Sequence, residues 1–90
     1  KEAEELNMIY KAVEDATFDS VVHSFVNKIA KMPTRALGLT KKAVNESLSN
    51  SLEVQLGLEE KLQNEAGQTK DFNEGVEAFL EKRPAKFIGK

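Results

Sequence analysis

The sequence predicts a mainly α fold of four to five helices, with one orphan strand near the N-terminus. Three observations support this. Apolar residues recur at three- and four-residue intervals through most of the chain. Cap-forming and helix-stopping residues stand at the ends of those runs. Only one short stretch, 8–13, has an extended pattern.

Residues 1–6, KEAEEL, are strong helix formers, and Asn7 follows where a helix ends in a left-handed residue. MIYKAV, 8–13, reads as a strand or extended segment whose ladder partners must lie elsewhere. Thr17 is a candidate cap for the next helix. Phe18, Val21, Val22, Phe25, Val26 and Ile29 then form one apolar stripe on a helix ending near Met32. Pro33 interrupts it, lacking an N–H and constraining its predecessor.

Thr34 is a candidate cap for a helix over 35–48. Ala36, Leu37, Thr40, Ala43, Val44 and Leu48 line one side, and Lys41, Lys42 and Glu46 the other. The run SNS, 49–51, is a turn whose Ser51 can cap a helix over 52–66, with Gly67 as its terminator. Leu52, Val54, Leu56, Leu58 and Leu62 spread over a wide arc, so that helix requires neighbours on two sides. The next helix starts at Thr69 or Asp71, the latter having capping-box spacing to Glu74. Phe72, Val76, Phe79 and Leu80 share a face of it, and Gly75 permits close backbone approach. After Pro84 the tail should be extended.

Charge and composition narrow the function classes. With 13 basic and 15 acidic residues in 90, there is no concentrated basic field for nucleic acid. The absence of Cys excludes disulfides and thiolate metal sites, and the one His argues further against a metal centre. The apolar runs are too short to span a bilayer, and KEAEEL has no apolar core of a leader peptide. The expectation is a cytoplasmic protein without a nucleic-acid or membrane partner. The chain opens without Met on residues patterned like the middle of a helix, which suggests a piece of something longer.

No phosphate loop, nucleophile elbow or metalloprotease motif is present. Glu59 and Glu60, like Glu4 and Glu5, are adjacent; on a helix they diverge by about 100° and read as a solvated face. His23 could serve as a general base, but it lies at the edge of the Val22/Val26 stripe with no acid beside it in sequence, the place of an ordinary boundary residue.

The last twenty residues carry a long pattern, D-F-x-E-G-V-x-A-F-L-E-K-R-x-x-x-F-x-G-K. Its members are Asp71, Phe72, Glu74, Gly75, Val76, Ala78, Phe79, Leu80, Glu81, Lys82, Arg83, Phe87 and Gly89. It resembles the C-terminal signature of the enoyl-CoA hydratase/isomerase (crotonase) family. The likeness extends through KEAEELNMIYKAVED and KIAKMPTRALGLTKKAVNES, with Asn7 standing where that family usually has Gly. MIYKAVED and the later run LGLTKKAVNESLSNSLEVQLGLEEKLQNEAG look closest to the phenylacetate-degradation isomerase branch, which acts on ring-epoxide CoA thioesters.

The resemblance implies that residues 1–16 end a spiral core and that 17–90 form the C-terminal helical domain. It implies a coenzyme A thioester as substrate, no other cofactor, no metal and a homo-oligomer. The oxyanion-hole amides and catalytic carboxylates of such enzymes lie upstream of the matched region, so no catalytic residue is expected among these 90. In relatives the aromatic and lysine matching Phe79 and Lys82 reach the CoA of a neighbouring subunit; Phe79 equally fits the apolar face of its own helix. The competing expectation is a free-standing helical module binding an amphipathic partner.

Overall fold

The computed structural model describes residues 1–90. It has five α-helices: α1 Glu2–Glu5, α2 Phe18–Ala30, α3 Thr34–Ser47, α4 Leu52–Gly67 and α5 Lys70–Leu80. A single 3₁₀ turn, Asp15–Thr17, leads into α2. No strand forms, which corrects the extended ladder expected over 8–13. The segment is short and rich in apolar and aromatic residues, but a strand needs a partner edge, and no other segment pairs with it.

α1 ends in a Schellman turn. Asn7 adopts φ 55°, its N–H donates to the Glu4 carbonyl at 3.0 Å, and the Met8 N–H reaches the Ala3 carbonyl at 2.8 Å. Asn tolerates this left-handed position better than most residues with a side chain. The chain beyond is tied back to α1, because the Ala12 N–H donates to the Glu4 carboxylate at 3.0 Å. It then meets α2 through the Tyr10 and Phe25 rings, whose centroids lie 4.8 Å apart.

Two expected caps fail. Thr17 occupies the N-cap position of α2, but its hydroxyl donates backwards to the Glu14 carbonyl at 3.1 Å instead of capping. Thr34 is already inside α3; Pro33, with φ −70°, takes the N-cap position, and its carbonyl accepts the Leu37 N–H. Ser51 and Thr69 do cap, accepting from Val54 N–H at 3.4 Å and Phe72 N–H at 3.1 Å. Gly67 does not terminate its helix with a left-handed turn; α4 runs through it to Gln68 in the right-handed region.

α3 and α4 form an antiparallel hairpin with the chain's principal apolar seam. Leu39 and Leu62 are buried in it. Arg35 pairs with Glu65 near one end. Toward the other, the Gln55 amide donates to the Ala43 carbonyl at 3.1 Å and accepts from Asn50 at 3.0 Å. That side-chain amide satisfies an α3 carbonyl across the seam and fixes the register of the two helices.

The rest of the chain is splayed. The radius of gyration is 16.8 Å, against about 12 Å for a compact domain of this length. Only four residues are buried. The α2 stripe is not a core: Phe25 is 39% exposed, and Phe18 and Val26 more so. Leu52, Val54 and Leu56 on the α4 arc are likewise exposed, as are Phe72, Val76 and Leu80 on α5. The amphipathic patterning is real, and its apolar faces await surfaces that this chain does not supply.

Candidate functional site

α5 and the tail after it build the most organised polar cluster of the chain. The helix ends in a second Schellman turn: Lys82 N–H donates to the Phe79 carbonyl at 3.3 Å, and Arg83 N–H to the Ala78 carbonyl at 3.0 Å. The left-handed residue is Lys82 itself, at φ 54°. This turn reverses the chain so that residues 83–90 run back along α5 as a strap.

Two carboxylates one turn apart on α5 hold the strap. Glu74 receives the Arg83 guanidinium through two contacts, 2.6 Å to Oε1 and 3.0 Å to Oε2, and accepts the Lys86 N–H at 2.7 Å. Those bonds, Arg83 first and the Lys86 amide second, bring the Glu74 carboxyl down from 4.5 to about 2. The Arg83 guanidinium is in turn held more firmly protonated by Glu74 and by Glu81, whose carboxylate lies 2.5 Å from Nε. Asp71, only 2% exposed, accepts from Ile88 N–H at 2.7 Å and Gly89 N–H at 2.8 Å, one on each oxygen. Its own N–H donates to the Lys90 backbone oxygen at 2.9 Å.

These bonds correct the capping-box expectation. Thr69 caps α5, and Asp71 faces the strap instead of the helix start. They also place the Phe87 ring over Gly75, where a Cβ would sit 3.5 Å from the ring. Phe87 thereby walls an open, mainly apolar groove of about 440 Å³, which Pro33, Ala36, Ala66, Phe72, Val76 and Phe79 also line.

Of the two sequence-derived candidates, Phe79 and Lys82, only the first lines this groove. Phe79 borders it and is 83% exposed, so it is not core in this chain. Lys82 lies beyond the last turn of α5, which ends at Leu80. Phe79 and Lys82 therefore do not share a helical face, although they stand three apart; the chain reverses direction at Lys82. His23 is exposed on α2 and donates from Nδ1 to the Asp19 carbonyl at 2.9 Å. No group of three or more His, Cys, Asp or Glu is placed to hold a metal. No helix is long and apolar enough to cross a membrane. Sequence reasoning missed the strap-holding roles of Asp71, Glu74 and Arg83. The available signal was a pair of carboxylates three apart on the helix, followed by a tail that Pro84 keeps extended.

A helical hairpin, a splayed amphipathic helix and a C-terminal strap make an all-helical chain with exposed apolar faces on α2, α4 and α5. The sequence pattern of the enoyl-CoA hydratase/isomerase family matches residues 1–90, and the chain belongs to that family. It is 44% identical over 90 residues to a probable enoyl-CoA hydratase of Rhodobacter capsulatus, spanning 100% of this chain and 35% of the relative. It is 41% identical to the 1,2-epoxyphenylacetyl-CoA isomerase of Escherichia coli, again over the whole chain and 34% of the relative. A crystal structure of an enoyl-CoA hydratase from Geobacillus kaustophilus superposes with a TM-score of 0.89 at 29% identity, covering 99% of this chain and 34% of that one. The fold is thus a helical part of the crotonase fold, and the chain spans about a third of the length of the relatives it matches.

Proposed function

We propose that this chain is the C-terminal helical domain of an enoyl-CoA hydratase/isomerase acting on acyl-CoA thioesters, with residues 1–16 closing the spiral core and 17–90 serving subunit assembly and CoA binding. The observation that carries this reading is full-length similarity to one third of such enzymes, combined with the exposed apolar faces of α2, α4 and α5. Those faces are suited to the rest of the enzyme and to neighbouring subunits of a homo-oligomer.

The parent protein would hold the thioester's enolate oxyanion on backbone N–H groups and move protons with carboxylates. We assign that chemistry to residues outside this chain. The one carboxylate lining the Phe87 groove, Asp71, has both oxygens occupied by strap amides. The chain alone is expected to be inactive. Phe79 would pack on the adenine or pantetheine part of CoA, and Lys82 would pair with its phosphates. Coenzyme A enters as part of the substrate, and no further cofactor is assigned.

The test uses the full-length enzyme. Lys82→Ala is expected to raise KM for an acyl-CoA by a few-fold, about the value of a partly exposed ion pair. It should leave KM for the corresponding acyl-pantetheine, which lacks those phosphates, unchanged. Equal effects on both substrates, or on neither, would remove Lys82 from the site.

A further inference from the structure

We infer that residues 83–90 are a latch: a strap that closes over α5 to build the Phe87 wall of the groove, and that opens as a unit independently of the helix it lies on. The hold on the strap is almost wholly polar. The Lys86, Ile88 and Gly89 amides bond to side-chain carboxylates of α5, not to a sheet or a helix. Its apolar grip is slight, since Ile88 is exposed and Phe87 is only partly covered. Elements with few buried apolar contacts and side-chain-held amides lie at the low end of local stability.

Lys82 and Gly89, near the two ends of the strap, both have positive φ, 54° and 77°; Lys82, where the chain leaves α5, is the point about which the strap would turn. At Gly89 the strap also meets the start of α3. A Cβ there would sit 2.5 Å from Thr34 Oγ1, so only Gly fits both the backbone and the space. The closed strap thus bridges α5 to the first turn of α3.

Asp71 and Glu74 are the positioning residues, and they divide the work. Glu74 holds the proximal half through Arg83 and the Lys86 amide. Asp71 holds the distal half through Ile88 and Gly89. Phe87 lies between these anchors. Release of either one frees the ring from Gly75 and removes one wall of the groove.

Amide hydrogen exchange on the full-length protein tests this. In the unaltered protein the Lys86, Ile88 and Gly89 amides should exchange together, faster than the Val76–Leu80 amides of α5. Exchange at the rate of α5 would mean that strap and helix open only as one, and the latch would be overturned. Asp71→Asn should speed exchange at Lys86, Ile88 and Gly89 together by about ten-fold or more, the scale of losing one charge-assisted hydrogen bond, with α5 unchanged. Glu74→Gln should speed the same three amides together. Unchanged Ile88 and Gly89 exchange in Asp71→Asn, or a parallel rise through α5, would also overturn the proposal.

Discussion

Glu74 and Arg83 meet in a fork, Nη1 to Oε1 at 2.6 Å and Nη2 to Oε2 at 3.0 Å, across the turn that reverses the chain at Lys82. A planar guanidinium bound at two points fixes direction as well as distance. This pair therefore sets the angle at which the strap leaves α5.

The fork has a pH signature. The folded Glu74 carboxyl lies at about 2, below its ordinary value of 4.5. A depressed carboxylate contributes stability that is fully present above the unfolded value and is lost as pH falls through the folded one. The charges facing Glu74 are Arg83 and Lys86, while Glu81 faces Arg83 from the other side. Strap order should hold above about pH 4.5 and decline toward pH 2. Carboxyl NMR titration should place the Glu74 midpoint well below an ordinary glutamate, and Glu74→Gln should abolish that part of the acid transition. A Glu74 midpoint at the ordinary value would contradict the fork.

The helices were legible because apolar periodicity marks α3, α4 and α5, Ser51 and Thr69 cap the last two, and Asn7 marked the end of α1 correctly. The role of Asp71 was not legible. Its spacing to Glu74 suits a capping box, and nothing local shows that amides seventeen and eighteen residues away claim the carboxylate. Lys82 carries no residue-type signal for a left-handed position, so the turn that ends α5 was not legible. The stripe through Phe25 and Ile29 has the pattern of a buried face, yet Phe25 stays 39% exposed.

That difference predicts a contrast between two truncations in the isolated chain. Leu62 is 5% exposed in the α3–α4 seam, so Leu62→Ala should cost about 2–5 kcal/mol. Phe25, at 39% exposed, falls outside the fully buried case, and Phe25→Ala should cost less than Leu62→Ala. Urea midpoints rank the two. A larger loss at Phe25 would mean that α2 packs more tightly than its exposure indicates.

Glycines separate in the same way. Gly89→Ala meets both a positive φ and the Thr34 hydroxyl, and should cost at least about 1–2 kcal/mol. Gly38 lies inside α3 with open space around it, so Gly38→Ala should stabilise by about 0.5–1 kcal/mol. Thermal midpoints that move in the same direction for both would refute the assigned backbone geometry.

The open shape predicts association. Exposed Phe18, Val22 and Val26 on α2 and Leu52, Val54 and Leu56 on α4 make patches that monomeric proteins rarely leave uncovered. The isolated chain should self-associate, as a symmetric dimer in the simplest case, or remain partly molten. Light scattering at rising concentration, with near-ultraviolet circular dichroism, reads both outcomes. A well-ordered monomer at high concentration would show that these faces need no cover.

Lys82 offers the sharpest separation of stability from function. A side chain at φ 54° carries strain that a glycine would not, about 1–2 kcal/mol by the left-handed penalty. A position that retains Lys where Gly would hold the Schellman turn better is where a stability–activity trade-off belongs. Lys82→Gly should therefore raise the thermal midpoint of the full-length enzyme while weakening acyl-CoA binding through loss of the ammonium. Lys82→Ala removes the same charge and keeps the strain, so it should weaken binding equally without stabilising. The pair isolates charge from fold: matched KM increases with opposed or unequal stability changes assign the ammonium to the ligand. If Lys82→Gly gains stability with acyl-CoA KM unchanged, the lysine is only a tolerated strain at the head of the strap. If it loses stability, the side chain itself holds the turn, through its aliphatic stem, and the trade-off is absent.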